Sequence, residues 1–282
     1  MSLLLYPLKN YSTQNGYYIS KDNWDEPGYA MHFHDSIEIT LLVQGTGSQI
    51  VNGSTYAMPT YTMSIMTLKD CHKFDDFSSD NLLYNLMILP SVLPESVLKK
   101  LDNLSSDKIC VLPENIGKTV VSIMDALAYS QSVNHNYSPT FVASLCQNLI
   151  DIFLHHYTLQ PSSENGYNES ILQTALIYIN AHFASAITLG EIAAHAKCNA
   201  TYLSELFHKK MDMTIKQYIT VMRIKQAKRL LISSDNSIMS ICFESGFSSL
   251  ASFNRNFLAV ENISPSAYRK AYNLKNAPKK MQ

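Results

Sequence analysis

The chain has 282 residues, 46% of them hydrophobic and 16% charged, with a formal net charge of −1, enough for two domains that each bury a core. Its five cysteines, Cys71, Cys110, Cys146, Cys198 and Cys242, are odd in number and never spaced C-x-x-C. They indicate neither a disulfide framework nor a zinc ribbon, and a reducing cytoplasm is expected. No apolar run reaches the length of a membrane span and the amino terminus lacks a basic region before a long apolar run, so neither a membrane nor export is expected.

Residues up to about Trp24 are rich in Tyr and Asn without clear periodicity and are expected to form an arm. From Tyr29 to about Leu89 the sequence predicts short strands over Glu38–Val43, Gly47–Val51, Thr62–Leu68 and Leu82–Leu89, separated by Gly45, Asn52-Gly53, Pro59 and Asp70. Asn-Gly between apolar runs predicts a hairpin, and many short strands predict a sandwich or small barrel. Within this region His32, His34 and Glu38 fall on one face if their strand is continuous, because side chains alternate with period two. Two imidazoles, a carboxylate and the later His72 could converge on a divalent transition metal, or serve as hydrogen-bond partners, or simply line the mouth of the barrel. The series His32-x-His34-x-x-x-Glu38, Gly45, Gly53, Pro59 and His72 resembles the double-stranded cupin barrel. Tyr29, Phe33, Tyr56, Phe74 and Tyr84 could stack on a sugar or belong to the core.

From Ser91 to Leu159 the pattern turns helical, with apolar residues at three- and four-residue steps over Val92–Leu104, Ile116–Ser130 and Phe141–Tyr157. Such helices either pack back on the barrel or pair with a second subunit. Gln160–Glu169, polar with Pro and Gly, reads as an inter-domain linker, and Ile171–Phe183 as an amphipathic helix.

The remainder contains a repeat. Ile192 and Ala193 open a short apolar helix, and Tyr202, Leu203 and Phe207 give the next helix an apolar stripe. Ile241 and Cys242, then Phe253 and Phe257, repeat the pattern with one extra residue in the turn. Two helices joined by a tight turn is the helix-turn-helix plan. Asn199 in the first copy, and Ser248 and Ser249 in the second, can cap the second helices; Asp212 and Asn262 can end them in the left-handed conformation. Gly246-Phe247 supplies a turn and an apolar anchor. Thr214 to Ser233 reads as one helix between the copies, with Arg223 and Lys228 facing outward. Charge follows the same division. Met1 to Glu169 holds 8 Lys, no Arg and 17 acidic residues, whereas Ser170 to Gln282 holds 14 basic and 6 acidic residues, with Arg223, Arg229, Arg255 and Arg269 all in the repeat region. A basic surplus is what DNA phosphates require.

These copies, with Gly246-Phe247, the series Phe253, Arg255, Phe257 and the closing Ser264-Pro265-Ser266-Ala267-Tyr268-Arg269, resemble the DNA-binding domain of AraC/XylS transcription regulators. The resemblance implies a sequence-specific regulator that binds double-stranded DNA, pairs as a homodimer and contacts RNA polymerase. It also implies that a cupin-like domain in front takes a small-molecule effector, with a sugar as the expected class, through His32, His34, Glu38 and His72. No cofactor and no enzymatic activity are expected. The alternatives are a metal-dependent cupin protein using His32, His34, Glu38 and His72 with a DNA-binding tail, and an architectural DNA-binding protein without an effector. The residues expected at DNA are Asn199, Thr201, Ser204, Glu205 and Lys209 in the first copy and Ser249, Ser252, Asn254 and Arg255 in the second. The expected fold is α+β: a cupin-like barrel with its arm over 1–90, a helical dimerisation segment over 91–159, a linker over 160–169, a double helix-turn-helix over 170–272 and a basic tail over 273–282.

Overall fold

The computed structural model describes residues 5–6, 16–24, 30–104, 108–133, 137–157 and 167–276. Most of the expected arm and linker, the end of the basic tail, and Tyr29 lie outside the described residues. The chain divides into two compact units, one of Tyr6–Glu169 and one built on Ser170–Gln282.

The first unit contains strands β1 (Leu5–Tyr6), β2 (Tyr17–Asp22), β3 (His32–His34), β4 (Ile37–Gln44), β5 (Gly47–Val51), β6 (Ser54–Met58), β7 (Thr62–Met66), β8 (Cys71–Asp75) and β9 (Leu82–Ile88). Helix α1 (Glu95–Asp102), strand β10 (Ile109–Val111) and helices α2 (Glu114–Ser132) and α3 (Pro139–Tyr157) follow. The strands form two five-stranded sheets, ordered β1-β3-β8-β5-β6 and β10-β7-β4-β9-β2. The expected barrel is therefore a pair of sheets, cupin-like in layout but not closed. The β5–β6 hairpin turns at Asn52 (φ 50°) and Gly53 (φ 82°), both left-handed as a two-residue hairpin turn requires.

Strand β4 shows why this part of the sequence lacks clean alternation. Ile37, Ile39 and Leu41 belong to a core shared with Val120, Met124 and Leu127 of α2 and Val142, Leu149 and Phe153 of α3. The intervening Glu38, Thr40 and Leu42 are also buried, on the other face. A strand covered on both sides reads as a continuous buried run. Three expectations are corrected here. His32, His34 and Glu38 do not share a continuous strand, because a bend at Asp35–Ser36 carries the chain from one sheet to the other. Tyr17–Asp22, read as part of an arm, is strand β2 paired along its length with β9. The segment 91–159 is not wholly helical, since Ile109–Val111 pairs with β7.

The second unit is all helix: α4 (Tyr167–His182), α5 (Leu189–His195), α6 (Ala200–Met211), α7 (Ile215–Ser233), α8 (Ile238–Glu244), α9 (Leu250–Glu261) and α10 (Pro265–Asn276). Helix α4 thus starts inside the expected linker. The starts of α5 to α9 each have a visible cause. Thr188 and Thr214 form capping boxes with Glu191 and Gln217, while Asn199, Ser237 and Ser249 accept from first-turn amides. Asp212 (φ 51°) and Asn262 (φ 58°) stop α6 and α9 in the left-handed region.

Candidate functional site

The two helix-turn-helix copies superimpose in sequence and in burial. With Ala200 set on Leu250, α6 and α9 have twelve residues each. Leu203, Phe207 and Met211 then fall on Phe253, Phe257 and Glu261, all buried. Phe207 meets Tyr218 edge-on at 5.6 Å between ring centroids, and Phe257 meets Tyr268 in the same manner at 5.6 Å. Before the helices the offset is one shorter, so Lys197 (φ 55°) corresponds to Gly246 (φ 88°). Gly246 is more than a flexible turn: a Cβ there would stand 2.7 Å from the backbone of Ala184.

With those faces buried, Thr201, Ser204, Glu205 and Lys209 of α6 and Asn254 and Arg255 of α9 are exposed, together with Leu258 and with His208, which sequence reasoning did not single out. Ser252 is half-buried, and its backbone carbonyl and hydroxyl both accept from Asn256. Asn199 and Ser249 serve as caps, to Thr201 N at 2.7 Å and Ser252 N at 3.3 Å. Tyr202, expected in the apolar stripe, is 38% exposed; the inward stripe runs through Leu203, Leu206, Phe207 and Met211.

Two basic residues expected on the outside of α7 are not there. Arg223 donates from Nε to Phe183 O (2.7 Å) and from a terminal nitrogen to Ser185 O (2.9 Å), tying α7 to the end of α4. Lys228 is buried and pairs with Glu261 at 2.7 Å. Arg269 likewise donates to Leu231 O and Asn236 O, at 3.2 and 2.7 Å. Part of the basic surplus therefore holds the domain together.

In the first unit His32, His34, Glu38 and His72 meet. His34 Nε2 stands 3.0 Å from His72 Nε2 and 3.5 Å from Glu38 Oε1, and His72 Nε2 stands 2.8 Å from Glu38 Oε2. His32 completes the group: the ligand atoms of the three histidines lie within 4.8 Å of one another. All four are at most 5% exposed. Sheet pairing explains the meeting, since His32 is the register partner of His72 across β3 and β8, while Glu38 enters from the facing sheet. Burial and the neighbouring His72 and His34 push the His32 imidazole well below its ordinary pKa. Burial raises the Glu38 carboxyl, but His72 and His34 outweigh that and hold it well below the usual carboxylate range.

Two further residues in this cluster were not foreseen. Gln49 places Nε2 2.9 Å from His72 Nδ1, and Asn85 donates from Nδ2 to Glu38 Oε1 at 2.8 Å. A lone Gln or Asn in a strand carries no signal that separates it from a surface residue, so only the fold could reveal them. Beyond His72 the ring of Phe74 follows at 5.3 Å, edge-on, with Trp24 and Phe77 around it.

Comparison with known proteins places the likeness mainly in the second unit. A family described as "Helix-turn-helix domain" matches residues 192–271. The "Melibiose operon regulatory protein" of Escherichia coli (strain K12) is 39% identical over 93 residues, 33% of this chain and 31% of that protein. The "HTH-type transcriptional activator RhaR" of Cronobacter sakazakii is 23% identical over 257 residues, 89% of this chain and 90% of that protein. Against the first of these the chain spans about a third of the relative's length. Among solved structures, ToxT from Vibrio cholerae aligns over 90% of this chain and 97% of its own, at 12% identity and a TM-score of 0.41.

Proposed function

We propose that this chain, whose residues 192–271 match a helix-turn-helix domain family, is a sequence-specific transcription regulator of the AraC/XylS type whose first unit senses a small-molecule effector. The observation that carries the DNA-binding part is the shared register of α6 and α9, which turns two equivalent helix faces to solvent. Helix α7, with 19 residues, is about 28 Å long at about 1.5 Å per residue. That length is near one DNA turn of about 34 Å, so the two reading helices enter successive major grooves from one side. Arg255 reads guanine through O6 and N7, and Glu205 accepts from cytosine N4. Lys209 contacts phosphate.

The effector reading is supported by the convergence of His32, His34, Glu38 and His72 in the first unit. A carbohydrate is the preferred class, in keeping with a relative named for a melibiose operon. The protein does no chemistry on that ligand, works in the cytoplasm and contacts RNA polymerase as family members do; among the described residues no helix is long and apolar enough to cross a membrane. It pairs as a homodimer through surface other than the buried face of α3, whose Val142, Cys146, Leu149, Ile150 and Phe153 lie in the core. The groove between α2 and α3 lined by Ile116, Thr119, Asn148, Asp151 and Ile152 is one exposed surface of the first unit that could serve.

The test is titration of the full chain with duplex DNA selected from a random pool, across a range of salt. We expect affinity to fall steeply as salt rises and protection of two successive helical turns. Salt-independent binding, or protection of a single turn, would contradict the reading. Sugars raising the melting temperature of wild type but not of His32→Ala or Glu38→Ala would support the sensor site; an undiminished response in both variants would move it elsewhere.

A further inference from the structure

The register that aligns α6 with α9 also aligns two solvent-facing stripes. Thr201, Ser204, Glu205 and His208 of the first copy correspond to Ala251, Asn254, Arg255 and Leu258 of the second, and every one of them is exposed. At about 3.6 residues per turn each set falls within an arc of about 100°. The spacing i, i+3, i+4, i+7 is the one through which a homeodomain helix reads the major groove. Position 258 is therefore the last of four reading positions rather than part of the helix flank. Its side chain is apolar and 51% exposed, where the first copy has His208.

A leucine at the surface is ordinary by itself, and what this one can face decides its meaning. Against a phosphate it would strip water from an anion and return nothing. The base edges of the major groove present donors, acceptors and one apolar group, the C5 methyl of thymine. Leu258 has neither donor nor acceptor, so that methyl is the feature of the groove it can recognise. Its neighbours fit a mixed site of this kind: Asn254 and Arg255 match the edges of adenine and guanine, and Ala251 at the other end of the stripe is also apolar. Leu258 lies three residues beyond Arg255, about 4.5 Å along the helix at about 1.5 Å per residue, against about 3.4 Å between stacked base pairs. The methyl accordingly belongs to a base pair next to the guanine read by Arg255, or one beyond it.

We propose that Leu258 is a specificity-determining residue that reads thymine through its C5 methyl, so that the half-site of the second copy contains a thymine within about two base pairs of the Arg255 guanine. The inference rests on the DNA-binding reading given above and adds a base preference to it. His208 at the equivalent position can donate and accept, so the half-site of the first copy has no methyl requirement there.

The experiment uses the full chain and the duplex it selects from random DNA, with each thymine replaced in turn by deoxyuridine, which removes the methyl and keeps every hydrogen-bonding edge. The second half-site is the part in which Arg255→Ala loses discrimination. We expect one replacement there to weaken wild type by about 4-fold, the worth of about one buried methyl-sized group. Leu258→Asn, similar in size, should bind the thymine duplex about 4-fold more weakly, be indifferent to that replacement, and melt with wild type because the side chain is exposed. Leu258→Ala repeats the test should Leu258→Asn melt early. Deoxyuridine tolerated throughout the second half-site, or a deoxyuridine effect that survives in the Leu258 variants, would overturn the proposal. So would a loss of self-association in Leu258→Asn with base preference intact, which would assign the leucine to a second copy of this chain. A wild-type chain that selects no sequence would remove the DNA-binding reading and this inference with it. A two-part preference indifferent to deoxyuridine would leave that reading standing and remove only the role of Leu258.

Discussion

The two helix-turn-helix copies share one plan and solve it with different chemistry, and the difference separates what the fold needs from what each copy adds. Where the first copy has buried Ile179 and Met211, the corresponding positions of the second hold Lys228 and Glu261, an ion pair at 2.7 Å that is likewise buried. Where the first has Lys197 in a left-handed turn, the second has Gly246 pressed on Ala184. Where the first exposes Glu205, the second exposes Arg255. The matching burial of Leu203 with Phe253 and of Phe207 with Phe257 defines the scaffold; the mismatches are individual.

The largest expected effect comes from breaking the ion pair. Removing one partner leaves a buried charge uncompensated, so Lys228→Met should destabilise the helical unit by about 3 to 5 kcal/mol, whereas a well-packed apolar pair is often neutral or better. The double variant Lys228→Ile, Glu261→Met, which copies the first repeat into the second, should recover most of that loss. Urea unfolding of the three proteins measures it. A double variant as unstable as the single would mean that the second copy has no room for the first copy's solution.

The turns come next. Gly246→Ala places a Cβ 2.7 Å from Ala184 backbone atoms at a φ of 88°, and strain of this kind costs about 1 to 3 kcal/mol. Lys197→Gly goes the other way: it relieves a left-handed lysine at the corresponding position, worth about 1 kcal/mol. Thermal denaturation should move in opposite directions for the two, and a loss in both would show that Lys197 contributes contacts of its own. The smallest effect is expected of Lys209→Ala, which should weaken all DNA sequences alike and reduce the salt slope by about 0.9 for one phosphate contact. No change in slope would remove Lys209 from the interface.

How much of this was legible in the sequence depended on whether a signal was local. Caps and stops were: Asn199, Ser249, Asp212 and Asn262 act within their own turns. So was the Asn52-Gly53 hairpin, whose two left-handed residues are written in adjacent letters. The residue types of the buried cluster were visible in His32, His34, Glu38 and His72, but not the route by which they meet, because Asp35–Ser36 carries no turn letter that marks a change of sheet and the pairing of β3 with β8 is long-range. Strand β2 was missed because its alternation is short and masked by residue type: Tyr17 and Ile19 are buried, but Tyr18 between them is aromatic too, so the letters do not alternate as the burial does. Arg223 and Lys228 were misjudged for a general reason, which Arg269 shares. A basic residue in a basic domain looks like a phosphate contact until the carbonyls of Phe183 and Leu231, or the carboxylate of Glu261, are found beside it.

A regulator with two helix-turn-helix copies of this kind should read bases with both. The decisive measurement is the full chain's sequence preference, selected from random duplex DNA, compared among wild type, Glu205→Ala and Arg255→Ala. We expect a two-part preference with centres about one helical turn apart. Arg255→Ala should lose about 1 to 3 kcal/mol of discrimination at one base pair in one part, and Glu205→Ala should alter only the other. A uniform loss of affinity in Arg255→Ala, with both parts of the preference unchanged in either variant, would contradict it and leave these residues as backbone clamps.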